Sequence, residues 1–166
     1  MQRPFVIHRQ IAACEAFGPA QAILNGIHTG KLHCVSAAAS LMAYQWVTLK
    51  MPLPELLIPF PTSFWEKQRL GFDPHLALAL EVGKIFSVPT HSILQKTFDR
   101  ERFLSQGQFH HRIQLSKSKT EILCDRRVLM TAFLFDDGLF RSVGKELKTC
   151  FPAQIDALAF ATAEIQ

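Results

Sequence analysis

The chain has 166 residues, of which 48% are hydrophobic and 19% are charged, and its formal net charge at pH 7 is +4. This composition predicts a single globular domain over residues 1–166 with a sizeable core, and it excludes an intrinsically disordered chain. The net charge is modest, so where the charges lie along the chain is more informative than their sum.

The amino-terminal part predicts two helices and then a buried strand. Helix formers after Gly18-Pro19 predict a helix over residues 18–27, and a longer helix is predicted over residues 31–50, before Pro52 and Pro54. The apolar stripe expected on the longer helix is Val35, Ala39, Met42, Trp46 and Leu49. The nearly continuous apolar run over residues 55–60 is typical of a strand buried on both faces of a parallel sheet.

A loop, a helix and a second strand are predicted next. The loop follows Phe60, the helix begins at Pro74, and the second strand covers residues 88–94. The apolar positions assigned to this helix are Leu76, Leu80, Val82, Gly83 and Phe86. Residues 95–127 show no sustained periodicity and are rich in Gln, Ser, Lys and Arg, which predicts a loop-rich basic excursion with one short strand.

The carboxy-terminal part predicts a strand over residues 128–135, a helix from Leu139 and a closing strand over residues 155–161. Strands that alternate with helices indicate an α/β fold with a central, mostly parallel sheet flanked by helices. Ligands of such sheets bind outside the carboxyl ends of the strands, so we expect the loops after Phe60 and Phe135 to share one edge.

Targeting signals and metal motifs are not evident. Polar residues such as His8, Arg9 and Glu15 interrupt the first thirty residues, which predicts a cytoplasmic protein without a signal peptide. Residues 34–49 are apolar but short for a membrane span, so we expect no span. No two of the four cysteines have the C-x-x-C spacing, so neither a metal site nor a redox motif is predicted.

Basic residues are concentrated between positions 94 and 127. This segment contains eight Lys or Arg and four Asp or Glu. A local excess of this kind favours an anionic partner, such as a phosphorylated metabolite or nucleic acid. Because Phe98, Phe103 and Phe109 lie among the basic residues, one hypothesis is single-stranded DNA binding; the alternative is a solvated surface segment whose aromatic residues anchor it to the core. The candidate contact residues are Lys96, Arg100, Arg102, Arg112, Lys117 and Lys119.

An acidic turn joins the strand over residues 128–135 to the helix that follows. In α/β proteins such a junction is a common phosphate site, because a helix start offers unpaired N–H groups and a partial positive charge. Here the turn reads Asp136-Asp137-Gly138, and its two carboxylates repel a bare phosphate unless a metal ion or basic side chains intervene.

Two stretches of the chain resemble the ComF family of phosphoribosyltransferase-like proteins, which is associated with DNA uptake in bacterial competence. One is Leu57-Ile-Pro-Phe-Pro61 with Gln68-Arg-Leu-Gly-Phe-Asp73, and the other covers residues 128–140. The resemblance implies a type I phosphoribosyltransferase fold that binds phosphoribosyl pyrophosphate, or a nucleotide, with magnesium if active. It also implies Pro59, Pro61 and Arg69 as phosphate- or ribose-binding candidates. The family's amino-terminal zinc-binding cysteines are absent.

The resemblance allows two registers for the acidic turn. In the first, Ala132 and Phe133 take the place of the family's acidic pair, and Asp136 and Asp137 replace the hydroxyl residues of its phosphate loop. In the second, Asp136 and Asp137 are the acidic pair, and the phosphate loop covers residues 140–144. We favour the first, because a helix from Leu139 gathers the apolar residues on one face.

These registers lead to different functions. The first implies a ComF-like protein with weak or lost transferase activity, and the second implies an active phosphoribosyltransferase. Catalytic residues are unassigned in both cases, and single-stranded DNA binding stays as a third hypothesis. The acceptor substrate and the oligomeric state are left open.

Overall fold

The computed structural model describes residues 7–98, 111–116, 121–135 and 137–162. The strands are β1 (Arg9–Glu15), β2 (Leu56–Pro59), β3 (Leu94–Phe98), β4 (His111–Leu115), β5 (Arg127–Phe135) and β6 (Gln154–Thr162). The helices are α1 (Pro19–His28), α2 (Leu32–Thr48), α3 (Phe64–Leu70), α4 (Pro74–Phe86) and α5 (Asp137–Lys148).

The central sheet has four strands in the order β1-β6-β5-β2, and every neighbouring pair is parallel. The predicted α/β class, with a parallel sheet flanked by helices, is therefore confirmed. Pro59 at the end of β2 lies opposite Thr131 of β5, and β5 continues for four residues beyond that point. The carboxyl ends of β2 and β5 thus lie at the same edge, as the two loop predictions required.

Strands β2, β5 and β6 of the central sheet contribute alternate side chains to two hydrophobic clusters, one on each face. On one face, Val128, Met130 and Ala132 of β5 belong to a cluster that also contains Phe140 and Val143 of α5. On the other face, Leu129 and Phe133 belong to the cluster formed with α1, α2 and α4. All four residues of β2 are buried, as expected for a strand covered on both faces.

Helix α3 corrects the predicted loop after Phe60. The Ser63 hydroxyl accepts a hydrogen bond from the Glu66 backbone N–H, and Gly71 ends the helix in the left-handed conformation with φ of 75°. Serine followed three residues later by glutamate is a helix-start pattern that was present in the sequence. The left-handed Gly71 is the usual way in which a helix ends. No residue of α3 is buried, so hydrophobic periodicity gave no signal there.

The predicted strand over residues 88–94 is also wrong. Thr90 forms only an isolated bridge with Leu57, and β3 begins at Leu94. Strand β3 pairs with β4 in a separate antiparallel two-stranded sheet, so the basic excursion contains two strands in its described parts. Strand β1, which the sequence did not predict, pairs with β6 at the edge of the central sheet.

The helical predictions are correct in type and partly wrong in face. Val35, Ala39, Met42 and Trp46 of α2 are buried, but Leu49 beyond its end is 48% exposed. On α4, Val82, Gly83 and Phe86 are buried, whereas Leu80 is exposed and Leu76 is only half-buried. Within the described residues, no helix is both long and apolar enough to cross a membrane.

Candidate functional site

A cavity of about 280 Å³ lies where β2 and β5 end, between α1, α3, α4 and the start of α5. This is the edge at which parallel α/β sheets bind ligands. Among the described residues, its lining consists of Leu24, Ile27, His28, Phe60, Pro61, Glu66, Leu70, Pro74, His75, Lys96, Phe133, Leu134 and Phe140. Most of these side chains are apolar, and they come from segments that are spread between residues 24 and 140.

Aromatic rings form one wall of the cavity. The ring centroid of Phe60 lies 5.8 Å from that of Phe140 and 5.6 Å from that of His75. The His75 ring meets Phe133 edge to face, with centroids 5.3 Å apart. Tilted and edge-to-face contacts at such distances are favourable. Phe60, Phe133 and Phe140 are all at least 93% buried, so this wall continues the core into the cavity.

His75, in the first turn of α4, brings a polar ring into these apolar surroundings. Burial lowers the pKa of His75 to about 4; nearby Asp73 and the backbone of Phe60 oppose this shift, whereas Lys96 adds to it. The imidazole is therefore neutral at pH 7. Its Nδ1 atom is shielded from solvent and has no hydrogen-bond partner of good geometry among the described residues. A neutral imidazole nitrogen in this position is available to a ligand.

Asp73 connects three elements that surround the cavity: the loop that follows β2, helix α3 and helix α4. Its Oδ1 accepts hydrogen bonds from the Thr62 hydroxyl at 2.6 Å and from the Leu76 backbone N–H at 3.1 Å. Its Oδ2 lies 2.6 Å from Nζ of Lys67. Burial is the largest influence and raises the pKa of Asp73, but the bonds from Lys67, Thr62 and Leu76 together outweigh it, so the pKa is lowered. The carboxylate is thus charged at neutral pH and caps α4.

The polar lining of the cavity does not resemble a magnesium site. Glu66 is the one carboxylate among the described lining residues, and it is accompanied by His28 and Lys96. Magnesium requires oxygen ligands, usually carboxylates with substrate phosphates. No group of three or more His, Cys, Asp or Glu side chains is arranged to hold a metal ion within the described parts of the chain. These residues therefore do not fit the ion that the ComF resemblance implies for an active enzyme.

The predicted phosphate- and ribose-binding residues are scattered relative to the cavity. Pro61 lines it, whereas Pro59 is buried at the end of β2 and Arg69 is exposed on α3 without lining it. Gly138 is exposed in the first turn of α5. Asp137 is the first residue of that helix, and nothing is described of its side chain; Asp136 lies outside the described residues.

The described residues contradict one part of the second register of the acidic turn. Residues 140–144, which that register assigns to a phosphate loop, lie inside α5. Phe140 is 1% exposed and Val143 is fully buried, because both pack in the core. The first register assigns Ala132 and Phe133 to the place of the acidic pair, and these residues are buried in β5 with Phe133 facing the cavity.

Of the basic candidates, Lys96 lines the cavity. Arg112 belongs to β4, but its side chain is not described. Arg100, Arg102, Lys117 and Lys119 lie outside the described residues. Single-stranded DNA binding by this group therefore stays a prediction.

Sequence reasoning missed His28, Glu66 and His75 as cavity residues. The pair Asp73-Pro74 did carry a signal, since a carboxylate cap followed by proline is typical of a helix start. No comparable local pattern marks His75, because its burial depends on Phe60 and Phe133, which are distant in sequence.

The fold and the cavity define the chain as an α/β protein with a parallel sheet and a ligand-sized site at the carboxyl edge of that sheet. No family model matches the sequence, and no curated protein sequence matches it. The ComF resemblance therefore stays a prediction.

Solved structures that are similar to the chain include phosphoribosyl transferases. Trypanosoma cruzi hypoxanthine phosphoribosyl transferase is 19% identical over 75% of this chain and 60% of its own, with a TM-score of 0.37. L. donovani hypoxanthine-guanine phosphoribosyl transferase is 14% identical over 77% of this chain and 67% of its own, with a TM-score of 0.43. A hypothetical protein from Neisseria gonorrhoeae with bound ppGpp is 13% identical over 81% and 69%, with a TM-score of 0.48.

The chain thus spans three fifths of the length of the T. cruzi enzyme. All three TM-scores are below 0.5, so these similarities do not assign a function to the chain.

Proposed function

We propose that the chain is a phosphoribosyltransferase-like protein with weak or lost transferase activity, which acts by binding a small molecule at the carboxyl edge of its sheet. The observation that carries this proposal is the aromatic wall. Phe133, at a position where the ComF resemblance implies a carboxylate, is a buried residue of that wall.

An apolar wall is a poor partner for phosphoribosyl pyrophosphate, which is strongly anionic. Moving an unpaired charge from water to apolar surroundings costs several kcal/mol or more, unless cations and hydrogen-bond donors compensate. Lys96 is the one lysine or arginine among the described lining residues, and Glu66 opposes it with a negative charge. These residues supply far less compensation than several phosphate groups require.

The start of α5 supports the same proposal. A phosphate loop needs flexible, hydroxyl- or glycine-rich backbone whose N–H groups converge on the anion. Here the chain enters a helix at Asp137, and Phe140, one turn later, is already held in the core and against the rings of Phe60 and Phe135. The sequence also supplies two acidic residues at this helix start, which disfavour phosphate.

Isothermal titration calorimetry with phosphoribosyl pyrophosphate and magnesium tests the proposal. We expect binding weaker than about 1 mM, equivalent to less than roughly 4 kcal/mol of binding free energy. Micromolar binding contradicts the proposal. Pyrophosphate exchange that is lost in both Asp136→Asn and Asp137→Asn would instead establish the active phosphoribosyltransferase.

A role in DNA uptake is proposed only from the ComF resemblance. Its test is the transformation frequency of a naturally competent host that lacks the gene, with the intact gene restored as the control. An unchanged frequency removes the competence role without affecting the binding proposal.

A further inference from the structure

We propose that the cavity binds an uncharged, planar, bicyclic aromatic molecule that carries one N–H group, with this group hydrogen-bonded to His75. The inference rests on the proposed function, since it assigns a ligand class to the same edge of the sheet. Four properties of the cavity support it: the volume, the aromatic walls, the shielded His75 nitrogen and the charges on the described lining.

The volume suits two fused rings. Apolar cavities of about 150 Å³ are known to bind benzene. This cavity measures about 280 Å³, close to twice that value, and its described walls are continuous with the core. A single ring would leave much of the space unfilled, whereas a drug-sized ligand needs a larger site.

The walls of the cavity favour a ligand with a flat and apolar surface. Phe60, Phe133 and Phe140 present rings, while Leu24 and Ile27 of α1 present aliphatic side chains from another part of the chain. Aromatic ligands gain from offset and edge-to-face contacts with such rings, in addition to the burial of their apolar area.

His75 sets the position of the polar group. Its Nδ1 is shielded from water and has no hydrogen-bond partner of good geometry among the described residues, although buried polar atoms are nearly always hydrogen-bonded. The neutral imidazole accepts a hydrogen bond at one of its nitrogens. A ligand N–H facing Nδ1 therefore provides the partner that this atom lacks.

The charges on the described lining of the cavity do not favour a strongly charged ligand. Lys96 and Glu66 line it with opposite signs, and the charged or titratable groups that influence His75 are Asp73, Lys96 and His28. Asp73 is already bonded to Lys67, Thr62 and Leu76, so it does not offer an unpaired carboxylate to a cationic ligand. Among the described lining residues, the one Lys and the one Glu leave no surplus of either sign beside the rings.

The test is calorimetry of the full chain with indole and with benzofuran, which has the same shape but lacks the N–H group. We expect indole to bind with one-to-one stoichiometry, and benzofuran to bind about three- to tenfold more weakly, the effect of one hydrogen bond. His75→Phe should abolish this difference and leave the benzofuran affinity within about twofold. His33→Phe, at an exposed position of α2, is the matched control and should preserve the difference.

A second variant locates the site independently of His75. Leu70 lines the cavity from α3 but belongs to neither hydrophobic cluster, so Leu70→Trp should fill the cavity without disturbing the core. We expect it to reduce the affinity for both compounds at least tenfold. The inference is overturned if indole does not bind, if Leu70→Trp binds it equally well, or if the preference for indole persists in His75→Phe.

The two proposals fail separately. Absence of indole binding together with absence of phosphoribosyl pyrophosphate binding overturns only the ligand class. Micromolar binding of phosphoribosyl pyrophosphate overturns the proposed function, whatever the result with indole.

Discussion

His75 and Asp73 lie two residues apart, yet their pKa values are lowered for different physical reasons. For His75, burial is the main cause, because a buried imidazolium loses its hydration. For Asp73, burial acts in the opposite direction, and three hydrogen-bond donors overcome it. His75 is therefore neutral where it lines the cavity. Asp73 is charged and bonds to Thr62, Lys67 and Leu76 around the cavity.

At the residue scale, we expect His75 to make the folded state less stable in mild acid. Its pKa is about 4 in the folded protein and 6.5 in its ordinary state, so between these values the unfolded chain binds a proton that the folded chain does not. Stability should therefore fall as the pH falls from 6.5 to 4, by at most roughly 3 kcal/mol. Above pH 6.5 this contribution to stability is fully present.

Urea denaturation of the wild type and of His75→Phe across this pH range measures the effect. The variant should show a shallower dependence of the free energy of unfolding on pH. Asp73 does not interfere, because its lowered pKa lies below 3.8 and its contribution is lost only at more acidic pH. Equal slopes in the two proteins would show that His75 is not buried in its neutral form.

At the element scale, α4 approaches the chain that follows it through Gly83. A Cβ atom at this position would lie 2.7 Å from Oγ1 of Thr90 and 2.9 Å from the carbonyl oxygen of Val88. Thr90 in turn donates its hydroxyl to the Ala79 carbonyl, so it is held close to the helix. Glycine is needed here for this close approach between helix and chain.

We expect Gly83→Ala to destabilise the protein. Alanine improves helix propensity by about 1 kcal/mol, whereas overpacking a core costs about 1 to 3 kcal/mol. The overpacking should dominate, because the Val88 oxygen belongs to the backbone and cannot rotate away. The urea midpoint measures the balance, with Ser36→Ala on the exposed face of α2 as a control for propensity alone. A more stable Gly83→Ala would show that this contact relaxes easily.

At the scale of the whole molecule, β5 connects the two hydrophobic clusters. Leu129 and Met130 are neighbours in sequence, both are fully buried, and they point to opposite faces of the sheet. Since the same strands supply both faces, loss of packing on one face should weaken the other. Coupled loss of packing on the two faces is what a single domain over residues 1–166 predicts.

We expect Leu129→Ala and Met130→Ala each to cost about 2 to 5 kcal/mol and to leave a single unfolding transition. Trp46, which is buried on the face of Leu129, reports that face by fluorescence in a Trp65→Phe background. Its transition should coincide with circular dichroism in both variants. Leu32→Ala, at a 58% exposed position, is the control. A Met130→Ala protein that loses helix before the Trp46 signal changes would indicate two independent units.

Sequence periodicity was sufficient for the elements that are buried on a regular face. The run that became β2 and the stripe containing Val35 and Met42 illustrate this, because burial repeats at the period of the strand or helix. It failed for α3, whose residues are all at least partly exposed, and for β3, whose partner β4 lies beyond residue 98. In these elements the stabilising contacts are caps or strand pairing, which a hydrophobic pattern does not register.

By itself, the sequence determined the α/β class, the parallel strands and the edge at which a ligand site should lie, because these follow from local periodicity and the order of elements. Only the tertiary structure decided the chemistry of that site. Phe60, His75, Phe133 and Phe140 are spread over eighty residues, and their meeting created the apolar walls, the neutral imidazole and its unpaired nitrogen. Burial and pKa depend on neighbours in space, and no local stretch of sequence contains those neighbours.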